Sequence, residues 1–109
     1  QNALETGNWL KEKLEALKES FPLIGDVRGE GFFLGVELVL DPETREPAPL
    51  QADYVVERMK SRKILLSTEG PGHNVLKFKP PMVFNQRDAQ HLLAELEQVL
   101  GESPLLQKR

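Results

Sequence analysis

Hydrophobic positions change their period several times along the chain, and each change marks an element. Between positions 4 and 20, Leu10, Leu14, Leu17 and then Phe21 fall on one helical stripe, with Lys11, Glu12, Lys13, Glu15, Lys18 and Glu19 around the rest. This predicts an amphipathic helix that stops before Pro22, with a solvated charged face and Trp9 as a packing residue. From position 24 to 40 the period drops to two. Leu34, Val36, Leu38 and Leu40 line one side of an extended chain, after a glycine-rich bend at Gly29 and Gly31, so two strand segments are expected. Positions 41–49 carry three prolines and polar residues, the composition of a surface loop. Ala52, Val55, Val56 and Met59 form a second helical stripe, and Arg58, Lys60, Arg62 and Lys63 gather where cations favour a helix C-terminus. Positions 64–66 read as a short apolar strand and positions 67–73 as a flexible loop or hairpin.

The stretch that follows is the one on which candidate chemistry concentrates. In an extended Asn74-Val75-Leu76-Lys77-Phe78-Lys79 segment, Lys77 and Lys79 share one face while Leu76 and Phe78 turn toward a core. Pro80 and Pro81 lack backbone donors, so regular pairing ends just past the two cations, which places them at an edge beside a loop. Asn85 then fits a helix N-cap with Asp88 in the first turn. Ala89, Leu92, Leu93, Leu96, Val99 and Leu100 make a third stripe ending at Gly101. Positions 102–109 read as a frayed tail after a domain spanning 1–101. The order helix, strand, strand, helix, strand, strand, helix is α+β, most simply a small antiparallel or mixed sheet covered on one face by helices.

Composition narrows the function classes. The chain has 109 residues, 39% hydrophobic and 28% charged, which is one ordinary domain's worth, and no apolar run approaches the length of a bilayer span. A net charge of −3 argues against a general nucleic-acid surface, because phosphate-backbone binding wants a basic footprint. Zero cysteines exclude disulfides and thiolate metal sites, which suits a reducing compartment: the cytoplasm, with the mitochondrial matrix also open. No His or carboxylate cluster has metal-ligand spacing, and no nucleophile has an evident base. The chain starts at Gln1 with neither an initiator Met nor a signal peptide, and reads as part of a longer protein.

Two motifs in order, Val27-Arg28-Gly29-Glu30-Gly31-Phe32-Phe33-Leu34-Gly35-Val36-Glu37-Leu38 and Asn74-Val75-Leu76-Lys77-Phe78-Lys79-Pro80-Pro81-Met82, separated by a helix, resemble a known family. They are similar to the C-terminal small domain of the class III, ornithine aminotransferase-like, pyridoxal-phosphate enzymes. The resemblance runs from the first helix to about position 100 and implies the same α+β fold. It also implies a pyridoxal 5′-phosphate cofactor held by a large domain, that domain as a partner, and a homodimer or homotetramer when full length. The chain is too short for a complete enzyme of the family. No lysine here matches the family's Schiff-base lysine, so no catalytic residue is expected in this chain and the chain alone should be inactive.

In the resembled aminotransferases an arginine stands at the position of Lys77 and grips the substrate carboxylate through its bidentate fork. Lysine is a compact point charge without that fork, which points away from ordinary α-amino-acid transamination. The Lys-Phe-Lys-Pro-Pro-Met run looks instead like the phospho-lyase branch, which removes phosphate from phosphoethanolamine or phosphohydroxylysine and releases ammonia and an aldehyde. Lys77 would then hold the substrate phosphate, with Lys79 the weaker candidate. A small domain of a true class III transaminase and a free-standing small-molecule-binding regulatory domain are the alternatives. Read without the resemblance, Lys77 and Lys79 fit solvated strand residues better than ligand contacts. Ser67 and Thr68 are open to donating to a phosphate or to capping a turn, and His73 to shuttling a proton or sitting on the surface. Gly29, Gly31 and Gly35 fit steric roles better than a phosphate cradle, since no dinucleotide fingerprint is present. Arg28 fits a structural ion pair better than an active-site role.

Overall fold

A computed structural model describes residues 3–30, 33–78 and 85–102. Three helices, α1 (Ala3–Leu17), α2 (Pro49–Ser61) and α3 (Gln86–Leu100), accompany four strands, β1 (Ile24–Glu30), β2 (Phe33–Leu38), β3 (Leu66–Glu69) and β4 (Val75–Phe78). The strands form one sheet in the order β1-β2-β4-β3, with every neighbouring pair antiparallel. The expected α+β arrangement is thus observed, and its sheet is antiparallel throughout. α1 packs on β1 and β2, α2 on β2, β3 and β4, and α3 on both other helices. Gly31, Lys79, Pro80 and Pro81 lie outside the described residues, as do positions 103–109. Among the described residues no helix is long and apolar enough to cross a membrane.

The period-two pattern sorts cleanly onto the two sheet faces. Leu34, Val36 and Leu38 of β2, Leu76 of β4 and Leu66 of β3 are buried in one core with Leu10, Leu14, Val55, Met59 and Leu96 of the helices. β1 would lose this alternation without its bulge: the register shifts between Ile24 and Asp26, so Ile24 and Val27, three apart, both face the core. Gly25 sits in that bulge because a Cβ there would meet Val39 Cγ1 at 2.8 Å.

Two expectations need correction. The third strand begins at Leu66, two residues later than the apolar run suggests. Lys63 turns left-handed at φ 67°, and the Ile64 N–H bonds back to the Met59 carbonyl at 2.9 Å, a helix exit that uses up Ile64 and leaves Leu65 60% exposed. Ser67 and Thr68 are therefore strand residues rather than turn residues. The second correction concerns the basic cluster: Arg58 and Arg62 do more than complement a helix end. Arg62 pairs with Glu95 and bonds Gln98 of α3, while Arg58 grips Glu102 with Nη2–Oε2 at 2.7 Å and Tyr54 donates its hydroxyl to the same carboxylate. Glu102, expected to open a frayed tail, is tied to α2. Asn85, in contrast, caps α3 as expected, in a reciprocal capping box with Asp88.

Hydrogen bonds from Arg58 and Tyr54 hold the Glu102 carboxyl down at about 2, below its ordinary 4.5. A depressed carboxylate contributes stability above its unfolded pKa and loses it as pH falls through its folded one. The advantage of wild type over Glu102→Gln in urea denaturation should therefore be full well above pH 4.5, shrink as pH falls from there, and be mostly lost by about pH 2. An advantage that persists undiminished at pH 2 would contradict the clasp.

Candidate anion-binding face of the sheet

The sheet face turned away from the helices is built from the residues that alternate with the core positions. One row across it reads Arg28, Gly35, Lys77, Ser67, and the next Asp26, Glu37, Val75, Glu69. β4 is an interior strand, so Lys77 is flanked on both sides and does not stand on a sheet edge as its proximity to Pro80 suggests. Leu76, fully buried on the opposite face, fixes which way Lys77 points. The start of β4 is held by Asn74, a buried residue whose side-chain amide donates to the Leu38 carbonyl at 2.7 Å while its own carbonyl accepts from the Leu38 N–H at 2.8 Å. Asn74 thus pins the register that positions Lys77 three residues later.

Arg28 and Arg45 both converge on one carboxylate. Arg28 Nη2 lies 3.1 Å from Glu37 Oε1 and its Nε 3.4 Å from Asp26, while Arg45 reaches Glu37 from a left-handed turn at φ 63°. Arg28 is thus a structural ion-pair partner, as its sequence context suggests. These arginines are occupied with acids on the same face. Lys77, by contrast, is half-buried and makes no hydrogen bond or ion pair among the described residues. Its stem rests beside Gly35, where an added Cβ would stand 3.6 Å from Lys77 Cδ and 3.1 Å from Val75 Cγ1. The role of Gly35 is steric, a hollow for two neighbouring side chains. Ser67, opposite Lys77 on β3, has a buried Oγ without a hydrogen-bond partner, a state that costs on the order of 1–3 kcal/mol. Thr68 is paired with Leu76 and belongs to the helix side. His73 is exposed in the tight turn between β3 and β4, where its N–H bonds the Gly70 carbonyl.

Lys13, Lys18, Lys60 and Lys63 are exposed, Lys77 stands on an open strand face, and no group of metal-ligating side chains is present among the described residues. Among the described residues, the face offers one unpaired cation and one unpaired hydroxyl on adjacent strands, the chemistry of an anion contact.

The family model of aminotransferase class III matches residues 1–100. The chain belongs to the class III aminotransferase family. Members of this family are pyridoxal-phosphate-dependent. An alanine–glyoxylate aminotransferase 2-like protein of Drosophila melanogaster is 46% identical over 101 residues, covering 92% of this chain and 20% of that protein. An ethanolamine-phosphate phospho-lyase homologue of Caenorhabditis elegans is 41% identical over 105 residues, covering 92% of this chain and 22% of that one. Among solved structures, a phospholyase from Arthrobacter in complex with phosphoethanolamine superposes with a TM-score of 0.87 at 36% identity, covering 94% of this chain and 24% of its own. The class III chain therefore spans about a fifth of the length of the curated relatives it matches.

Filling the hollow at Gly35 should disturb both side chains beside it. Gly35→Val is expected to lower stability by about 1–3 kcal/mol, as overpacking does, measured by urea denaturation; unchanged stability would show that the hollow is not needed.

Proposed function

We propose that this chain is the substrate-side domain of a pyridoxal-phosphate-dependent phospho-lyase that removes phosphate from a phosphorylated amine such as phosphoethanolamine or phosphohydroxylysine. The observation that carries the reading is Lys77: an unpaired cation on an interior strand, lysine where an aminotransferase would want the two-pronged arginine. A phosphate dianion suits a point charge that can approach from any direction, whereas a carboxylate gains most from a planar fork. The phospho-lyase names among the relatives support the same substrate class. For phosphoethanolamine, the net reaction takes the substrate and water to acetaldehyde, ammonia and inorganic phosphate.

In this reading Lys77 binds and orients the phosphate, and Lys79 lies next along the same stretch as a second, weaker contact. The cofactor supplies the electron sink for proton removal and is held by protein beyond this chain, as is the lysine that moves the proton. The working enzyme is a homodimer or homotetramer in which this domain packs against its own large domain. A transaminase is the second reading, favoured by the aminotransferase name of the fly relative.

Lys77→Ala in the full-length enzyme should lower kcat/KM for phosphoethanolamine about 10- to 100-fold, the loss of one contact to a charged group. Lys77→Arg should also weaken elimination, because the fork does not reproduce the ammonium's position. Elimination kinetics unchanged in both variants would remove Lys77 from the substrate site.

A further inference from the structure

Ser67 has a buried hydroxyl with no hydrogen-bond partner among the described residues. Its Oγ is shielded from solvent and makes no hydrogen bond, and the residue as a whole is half-buried. Buried hydroxyls nearly always have a partner in native proteins, so an orphan calls for a specific reason. Turn capping is excluded as that reason, because Ser67 lies inside β3 and bonds nothing.

The register indicates what the missing partner is. Ser67 pairs directly with Lys77, so the two side chains leave adjacent strands on the same face, about 5 Å apart at their Cβ atoms. The neighbouring acids Asp26 and Glu37 are neutralised by Arg28 and Arg45, whereas Lys77 has no acid of its own among the described residues. An unpaired ammonium beside an unpaired hydroxyl is a donor set with no acceptor.

We infer that Ser67 and Lys77 together bind the phosphate of the substrate, the serine hydroxyl donating to one phosphate oxygen while the lysine supplies the charge. For the serine to reach the phosphate, its hydroxyl has to turn about χ1 from one staggered well to another, toward the open face that its strand position shares with Lys77. Lysine alone attracts any anion; the hydroxyl, one strand away, favours an anion with several acceptor oxygens over a planar carboxylate held at a single point. Ser67 is thus a specificity-determining residue for phosphate. This deepens the reading of Lys77 given above and rests on it. Thr68, the adjacent hydroxyl, faces the helices with Leu76 and takes no part.

The test uses the full-length holoenzyme, with inorganic phosphate as the probe in titration calorimetry and phosphoethanolamine as the substrate in kinetics. Ser67→Ala should weaken phosphate binding and raise KM about tenfold, the loss of one hydrogen bond to a charged group, with kcat changed less than KM. Its melting temperature should stay the same or rise, because the hydroxyl removed has no partner to lose. Ser67→Thr should retain phosphate binding, and Thr68→Ala should leave it unchanged. Wild-type phosphate affinity in Ser67→Ala, alongside lost affinity in Lys77→Ala, overturns the role of Ser67 and leaves that of Lys77 standing. Wild-type affinity in both variants overturns the inference together with the reading of Lys77. A Ser67→Ala protein that melts well below wild type also overturns it, since the hydroxyl would then be serving the fold.

Discussion

An interior antiparallel strand has no freedom about which side chains it shows, and β4 is such a strand. β2 and β3 fix it on both sides, its Leu76 is fully buried, and Asn74 just before it is tied to Leu38 through a side-chain and a backbone hydrogen bond. A slip of one residue would drive Lys77 into the hydrocarbon core and expose Leu76, so burial of one leucine is what holds the lysine on the opposite face. The placement of Gly35 and Ser67 on either side of Lys77 follows from the same register.

Around that strand, charges are distributed unevenly. Asp26, Arg28, Glu37 and Arg45 satisfy one another on the β1–β2 side of the open face, and Arg58, Arg62, Glu95 and Glu102 do the same between α2 and α3. The first is local, the second joins residues 33 to 44 apart, and both account for their charges without a ligand. Among the described residues on this face, Lys77 and Ser67 have no such partner, and the proposal assigns them an anionic one.

Much of this arrangement was legible in the residues. Alternation at Leu34, Val36 and Leu38, the helical stripes of all three helices, and the Asn85 cap are local signals that the tertiary structure did not need to override. The facing of Lys77 against Leu76 followed from period two alone. Other features depended on contacts that no local pattern encodes. The strand at Leu66 started late because Lys63 adopts a left-handed turn normally reserved for glycine, and an apolar Ile-Leu-Leu run hides such an exit. Arg58 and Arg62 looked like a helix end because their partners lie 33 to 44 residues away on α3 and just past it. The separation of Ser67 from Thr68 needed the pairing with β4. Extending the alternation back from Glu69, and not forward from Ile64, is the signal that would have supplied it.

Phosphate is the group proposed for this face, and product analysis tests that proposal most directly. The full-length enzyme, loaded with pyridoxal phosphate and given phosphoethanolamine, should release inorganic phosphate, ammonia and acetaldehyde in equal amounts without any oxo-acid acceptor. Transfer of the amino group to an oxo acid with no phosphate released would contradict it and make the protein a transaminase.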